Sequence, residues 1–241
     1  MVNSEWTKPI LYKLMCLPFT IHYSPLTIHA FWEKEMLKIW GRTNSINVQK
    51  VLWCCAELNL KYERVDAGGK FGVNNTPEYL AMNPNGLVPT INDDGLILWE
   101  SHAIVRHLAR KHGKGTLWPA DEKVCADADR WMEWYDTTLW NNLRPVFWNL
   151  VRVEPDKRDM KLVEESRKKT ASDLKIVENN LAGRDYMAGK VLTMGDIPMG
   201  VAVHRWFSLP IERPDFPRLA AYYQRLKQRP AYAQYCAVPL T

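Results

Sequence analysis

The chain of 241 residues is 46% hydrophobic and 24% charged, which allows one large or two ordinary globular domains. Its formal net charge of +5 comes from scattered Lys and Arg side chains, so there is no basic stripe and no nucleic-acid partner is expected. A mild positive charge favours small acidic substrates.

Residues 1–35 differ in composition from the rest of the chain. They are apolar and aromatic, but Pro18 and Pro25 interrupt them, and a membrane span needs about 20 uninterrupted apolar residues. No small-residue cleavage site follows a clean apolar run, which argues against a signal peptide. We expect a poorly ordered leader here, and no membrane partner.

Residues 36–113 alternate between strand and helix patterns. The turn NDDG separates the last two of the predicted strands, which cover 36–42, 61–68, 87–93 and 96–100. Helical periodicity with capping signals predicts helices at 46–60, 76–84 and 101–113. A sheet of four strands with helices packed on it predicts an α/β domain of thioredoxin-like type over 36–113.

Residues 114–121 contain Gly, Pro and Asp between two helical patterns and are predicted to link two domains. The later part of the chain is expected to be an all-α domain over 122–241. Its helices are predicted at 122–152, 157–182, 194–206 and 215–229. Thr193 and Asp196 have the spacing of a capping box, so their segment is interpreted as a folding element without chemistry.

The cysteines indicate a reducing, cytoplasmic compartment. They are odd in number and form neither a CxxC motif nor a zinc-binding spacing. The five positions are Cys16, Cys54, Cys55, Cys125 and Cys236. The histidines also form no metal-binding pattern, and no metal is expected.

The stretch NPNGLVPTI places Pro89 at the start of a predicted strand. Proline removes a backbone donor and is therefore confined to the ends and edges of sheets. A cis peptide bond before Pro89 would expose the backbone of Val88, and an extended peptide could then pair with it as an added strand. An ordinary edge-strand proline is the alternative.

Glu100 and Ser101 meet at the predicted start of a helix. The Ser101 hydroxyl and the free N–H groups of the first turn could bind a carboxylate, and Glu100 could accept from an ammonium group. Together the two residues could recognise the α-amino acid end of a ligand. Ser101 taken alone could be a simple N-cap.

The elbow GRTNSINVQKVLW places Thr43, Asn44 and Ser45 between a predicted strand and a predicted helix. Residues of this type cap a helix, or they hold an anion beside its N-terminus. The elbow by itself leaves both interpretations open.

In this order and spacing, the strand proline, the Glu-Ser pair and the capping box resemble the cytosolic glutathione transferase family over residues 36–241. The pieces GRTNSINVQKVLW, AMNPNGLVPTI and LILWESHAIVRHLA are similar to a bacterial, theta- and phi-like branch that uses a catalytic serine. The resemblance implies the glutathione transferase fold, glutathione as co-substrate, conjugation to a small electrophile, and a homodimer.

Alignment with that branch puts Ser45 where the family has its thiolate-stabilising hydroxyl. A free thiol has a pKa of about 8.5. A hydrogen bond from Ser45 beside a helix N-terminus would favour the thiolate. Asn44 and Asn47 are alternatives for this role, as are Thr43 and the backbone alone. Because no Cys occupies the elbow, a transferase that forms mixed disulfides is disfavoured.

The resemblance also implies a glutathione-binding set, which consists of Val88, Pro89, Glu100 and Ser101. Many relatives present Lys or Gln just before the Val-Pro pair to hold the glycine carboxylate of glutathione. This chain has Leu87 there, which has no polar side chain. Lys70, in the loop AGGKFGVNN, is the expected replacement.

The helical domain is expected to supply the electrophile pocket. Trp140 and Trp148 are eight residues apart in one predicted helix, as are Arg144 and Arg152, and Arg42 ends the first strand. A guanidinium binds a carboxylate with two hydrogen bonds, so these arginines favour a small acidic electrophile such as a halogenated acid. Solvated or subunit-bridging arginines, and core tryptophans, are the alternative.

Two other functions remain open on the same fold. A glutathione-dependent disulfide or peroxide reductase needs no protein cysteine, and an elbow Asn would favour it. A non-catalytic binding module is also compatible with the fold. The elbow hydroxyl together with Val88, Glu100 and Ser101 argues against such a module.

Overall fold

A computed structural model describes residues 36–241 of the chain. The leader predicted over residues 1–35 lies outside these residues. The described part begins with a four-stranded sheet flanked by helices and continues as helices only. Within residues 36–241, none of the helices combines the length and the apolar character that a membrane crossing requires.

The sheet has the strand order β2-β1-β3-β4. β1 and β2 are parallel, whereas β3 is antiparallel to both β1 and β4. The elements of this part are β1 (Leu37–Trp40), α1 (Ile46–Glu57), β2 (Tyr62–Val65), α2 (Pro77–Met82), β3 (Thr90–Asp93), β4 (Leu96–Trp99) and α3 (Ser101–His112). The thioredoxin-like α/β prediction is therefore confirmed, with strands shorter than predicted because only their central residues pair.

The predicted helix over 122–152 is continuous but not uniform. Wider, π-helical turns at Tyr135–Leu139 and Trp148–Arg152 follow its two α-helical parts. The helices of this part are α4 (Glu122–Trp134), α5 (Trp140–Phe147), α6 (Met160–Asn180), α7 (Asp196–Ser208), α8 (Pro217–Lys227) and α9 (Pro230–Tyr235). The all-α prediction is confirmed. The domain boundaries at 114–121 stay predictions.

Helix α9 is absent from the sequence prediction, which took Pro230 as the end of the preceding helix. In the structure Pro230 is the first residue of a new helix. Proline is common at this position, because its missing N–H would have no partner inside the helix and its fixed φ suits a helix start.

One hydrophobic core runs through both parts of the described chain. α1 lies between α3 on one side and α7 and α9 on the other, so it is buried on nearly all sides. The Trp53 ring meets the Tyr232 ring edge-on at 4.9 Å. Opposite Trp53, a Cβ on Gly200 would lie 2.7 Å from the indole ring, so this close approach requires glycine.

Polar contacts also join the two parts. The Glu57 carboxylate accepts from Arg229 at 2.5 and 2.8 Å and from the Trp53 indole N–H at 2.8 Å. The Gln49 side chain accepts from Arg205 at 3.1 Å, and both of these residues are buried. Buried polar groups are stable only when they are paired, so these contacts fix α1 against the helical part.

The Asp196 carboxylate is fully buried and accepts four hydrogen bonds. The donors are the Thr193 N–H and hydroxyl, the Met187 N–H and the Tyr222 hydroxyl, at 2.8 to 3.1 Å. The Asp196–Thr193 N–H bond is the one expected of a capping box. The second bond of a capping box, from the Asp196 N–H to the Thr193 hydroxyl, is not formed, because the Asp196 N–H donates to the Thr193 carbonyl instead.

Candidate functional site

Three of the predicted motifs lie together at the end of the sheet where β1 and β4 finish and β3 begins, called the sheet edge from here on. Thr90 pairs with Trp40 on one side and with Trp99 on the other. The elbow follows Trp40, the Val-Pro pair precedes Thr90, and the Glu-Ser pair follows Trp99. Because neighbouring strands are about 4.8 Å apart, the three segments together span about 10 Å, close to the length of three extended residues.

Ser45 occupies the N-cap position of α1, with extended backbone angles, but its hydroxyl makes no capping hydrogen bond. Its N–H donates to the Arg42 carbonyl at 3.2 Å and its carbonyl accepts from the Gln49 N–H at 2.9 Å. The side chain is mostly buried. The hydroxyl is thus placed beside a helix N-terminus without a capping role, an arrangement that suits an anion.

The other polar residues of the elbow differ in their contacts. Both polar atoms of the Asn44 side-chain amide are hydrogen-bonded: the oxygen accepts from Arg42 at 2.8 Å, and the nitrogen donates to Thr241 at 3.0 Å. Thr43 is exposed. Asn47 is half-buried in the first turn of α1.

The Val88–Pro89 peptide bond is cis, which is one of the two interpretations that the sequence leaves open. Val88 precedes the paired register of β3, which begins at Thr90. The Leu87 carbonyl accepts from the Tyr79 hydroxyl at 2.6 Å and from the Asn83 amide at 2.9 Å. These contacts hold the loop in place, so the backbone of Val88 is presented at the sheet edge.

Glu100 has a positive φ of 69°, which is rare for a residue other than glycine. Such conformations cost about 1–3 kcal/mol and cluster at functional sites. Glu100 is the N-cap of α3 and its side chain makes no capping hydrogen bond. Ser101 is the first residue inside the helix and is buried, so the structure does not support its interpretation as a simple N-cap.

A cavity of about 550 Å³ opens beside the elbow. It is lined by Arg42, Thr43, Asn44, Gly69, Lys70, Phe71, Trp148, Arg152 and Thr241. Three of these side chains are cationic and none is acidic. Burial and the nearby charge of Arg152 lower the pKa of Arg42. The structure thus brings the predicted residues Arg42, Lys70, Trp148 and Arg152 into one cationic cavity, together with the elbow candidates Thr43 and Asn44.

The structure does not bring Trp140 and Arg144 into this cavity. The Trp140 ring stacks on the buried Tyr135 ring, with centroids 6.1 Å apart. Arg144 lines a separate cavity of about 310 Å³. An α-helix has about 3.6 residues per turn, so positions eight apart are offset by about 80° around the axis and are not aligned after two full turns.

A buried group that the sequence analysis missed lies behind Ser101. Lys50 is 1% exposed, and its Nζ atom lies 2.9 Å from Nε2 of His102 and 4.3 Å from the centre of the Tyr135 ring. Burial is the main cause that lowers the pKa of Lys50 to about 7. The sequence analysis makes no prediction for Lys50, and the only sequence signal for its burial is the apolar sequence around it.

The cysteines of the described residues are all free, and Cys54, Cys55 and Cys236 are buried. Burial raises the pKa of each of these three thiols. They are therefore poor nucleophiles, since the thiolate is the reactive form. Between residues 36 and 241, no group of three or more His, Cys, Asp and Glu side chains is placed to hold a metal ion.

Two family models match the chain. The model described as Glutathione S-transferase, N-terminal domain, matches residues 35–110, and Glutathione S-transferase, C-terminal domain, matches residues 143–230. Together with the fold and the sheet-edge site, these matches show that the chain belongs to the glutathione S-transferase family.

Individual relatives agree with this assignment. Glutathione S-transferase GstB of Escherichia coli (strain K12) is 39% identical over 208 residues, which cover 86% of this chain and 100% of that protein. The theta class glutathione S-transferase of Xanthomonas axonopodis pv. citri, solved with glutathione bound, has a TM-score of 0.82 and 43% identity, covering 85% of this chain and 99% of that chain.

A plant structure is similar at lower identity. Glutathione S-transferase I from maize, in complex with an atrazine glutathione conjugate, has a TM-score of 0.76 and 27% identity, covering 84% of this chain and 97% of that chain. The present chain is thus a transferase that uses glutathione as a substrate.

Proposed function

We propose that glutathione lies along the sheet edge, with its thiol at Ser45, and attacks a small acidic electrophile held in the cationic cavity. The observation that carries this proposal is the register in which Thr90 pairs with both Trp40 and Trp99. This register places the elbow, the Val-Pro pair and the Glu-Ser pair within the reach of one tripeptide.

The order of the strands supports a direction for the tripeptide. Along the edge, Ser101 after β4 comes first, then Val88 before β3, then Ser45 after β1. The γ-glutamyl end binds at Glu100 and Ser101, and the cysteinyl backbone pairs with Val88 as an added strand. The glycine carboxylate reaches Lys70, which follows β2 at the other end of the edge.

The thiolate forms because the anion is stabilised preferentially. Lowering the thiol pKa by two units requires about 2.7 kcal/mol. A hydrogen bond from Ser45 to a charged group contributes about 1.5–3 kcal/mol, and a helix N-terminus contributes about 0.3–1 kcal/mol. The thiolate sulfur then forms a bond to the electrophilic carbon, and the displaced halide leaves with the bonding electron pair.

The cationic cavity supports an acidic electrophile. Arg42 and Arg152 lie close enough for the charge of one to lower the pKa of the other. A carboxylate between them removes this repulsion and accepts charge-assisted hydrogen bonds. The reactive carbon is then held next to the elbow, because Thr43 and Asn44 line the same cavity.

A matched pair of electrophiles tests this substrate class. Iodoacetate and iodoacetamide share the reactive carbon but differ in charge. Replacement of Arg152 by methionine is expected to lower kcat/KM for iodoacetate about tenfold or more, with little change for iodoacetamide, because a charge-assisted hydrogen bond is lost. Steady-state kinetics with both reagents measures the ratio.

The exposed Arg110 provides the control, since Arg110→Met removes one positive charge away from the cavity. An equal loss for both reagents in Arg152→Met would contradict the acidic substrate class. Mass spectrometry of the products separates the alternative activities: S-carboxymethylglutathione indicates conjugation, glutathione disulfide indicates a reductase, and no product with bound glutathione indicates a binding module.

The proposed enzyme is a cytoplasmic homodimer. Support comes from the family, in which a homodimer is expected, and from the apolar surface that Trp131, Trp134 and the half-exposed Ile176 form on α4 and α6. One chain has a mass of 28.0 kDa. A mass of one chain in solution would exclude the dimer.

A further inference from the structure

Lys50 is a buried lysine without a carboxylate partner in hydrogen-bond contact among residues 36–241. Its Nζ atom lies 3.3 Å from Oγ of Ser101 and 2.9 Å from Nε2 of His102. The face of the Tyr135 ring lies at 4.3 Å. An ammonium group has three N–H donors, and here each has one partner: a hydroxyl, an imidazole nitrogen and an aromatic face.

His102 is held as the neutral acceptor in this arrangement. Its Nδ1 atom lies 2.9 Å from Oδ2 of Asp136, within ion-pair distance although off the line of a straight hydrogen bond. Burial first, and then the charge of Lys50, lowers the pKa of His102 to about 4. A neutral ring with its hydrogen on Nδ1 leaves Nε2 to accept from Lys50.

Charged groups from three elements face Lys50. Glu100 precedes α3, Asp136 lies in the wide turn after α4, and Arg205 lies on α7. Burial lowers the pKa of Lys50 most, the two carboxylates raise it, and Arg205 lowers it, with a value of about 7. The amine is therefore charged in only part of the molecules near neutral pH.

We propose that Lys50 is a positioning residue for glutathione, whose ammonium group orients the Ser101 hydroxyl toward the γ-glutamyl carboxylate and which takes up a proton when that carboxylate binds. This inference rests on the proposed γ-glutamyl subsite at Ser101. A lysine ammonium donates only, so the Ser101 hydrogen must point to another acceptor. A neutral amine accepts from Ser101 instead, and the ligand then loses its donor.

The sign of the pH dependence follows from this coupling. A bound carboxylate one hydroxyl away stabilises the charged amine and raises the pKa of Lys50. Below pH 6 the amine is charged with or without ligand, so binding takes up little proton. Above pH 7 the free protein has mostly neutral Lys50, binding takes up a proton, and affinity falls as the pH rises.

Calorimetry with S-methylglutathione tests the inference, because this ligand has the γ-glutamyl end but no thiol to ionise. Titrations at pH 8 in phosphate and in Tris, whose ionisation enthalpies differ, measure the protons taken up. The parent is expected to take up a large part of one proton per ligand. Lys50→Met is expected to lose this uptake and to bind about tenfold more weakly at pH 6.

Lys61→Met is the matched control, because Lys61 is exposed and lies away from the edge. It should retain both the uptake and the affinity of the parent. Binding by the parent without proton uptake, or the same uptake in Lys50→Met, would overturn the role of Lys50 but leave the proposed glutathione site standing. Failure of the parent to bind S-methylglutathione would overturn the proposed glutathione site as well. If Lys50→Met does not fold, the parent alone can still overturn the inference, by binding S-methylglutathione without proton uptake.

Discussion

Replacing Ser45 with alanine is expected to lower kcat/KM for the electrophile, measured at saturating glutathione, about 25-fold at pH 7, while glutathione still binds. The reason is that the hydroxyl lies at the N-terminus of α1 without a capping role. Loss of its hydrogen bond raises the pKa of the bound thiol by about two units, from about 6.5 back to about 8.5, which lowers the thiolate fraction about 25-fold at pH 7 and close to 100-fold well below pH 6. The pH profile of kcat/KM should move about two units in the alkaline direction.

Calorimetry for binding and initial rates from pH 6 to 9.5 measure these two effects separately. Asn44→Ala, Asn47→Ala and Thr43→Ala are the matched variants, because each removes one competing polar group of the elbow. If Ser45→Ala keeps the parent profile and Asn44→Ala or Asn47→Ala shifts it, the thiolate is stabilised by that asparagine and not by the serine.

Asp196→Ala is expected to lower the free energy of unfolding by about 3–5 kcal/mol. The carboxylate is fully buried and accepts hydrogen bonds from Thr193, Met187 and Tyr222. Alanine leaves these donors buried without an acceptor. For a chain of this size, the loss corresponds to about 10 °C in Tm.

The pH dependence of this loss has a definite sign. Burial raises the pKa of Asp196 to about 6. Between about pH 4 and pH 6 the folded chain therefore binds more protons at this site than the unfolded chain, and stability falls as pH rises through that window. An alanine side chain does not titrate. The difference in free energy of unfolding between parent and Asp196→Ala should therefore be larger at pH 5 than at pH 7.

Urea unfolding followed by circular dichroism at both pH values measures the difference. Asp156→Ala serves as the control, since Asp156 is exposed in the turn before α6. A loss below 1 kcal/mol in Asp196→Ala would contradict the structural role assigned to these hydrogen bonds.

The sequence predicts the local structure well where the chain obeys one periodicity. α3 ends beside Gly113 as expected, and α2 begins with the Thr76 cap and Pro77. The exception is Pro230, because proline both follows one helix and begins the next. Local signals cannot decide between these two roles.

The site is predictable only in part, since its pieces come from distant segments. Val88 and Glu100 stand in motifs that can be recognised locally, but Thr241 reaches Asn44 from 197 positions away. The periodicity of the sequence does not predict such a contact. Lys50 was missed for a related reason: its side chain is covered by α3 and by the Tyr135 turn, both of which are distant from it in the sequence.

The close approach of Gly200 to Trp53 has a consequence for how this chain can be recombined with its relatives. The segment between α3 and α4 looks like a convenient crossover point. Yet a helical half with a side chain at position 200 has no room for the indole ring of this α/β half. Glu57 would likewise need an arginine at position 229 from the other parent. Chimeras joined here are therefore expected to fold only when both parents share these pairs.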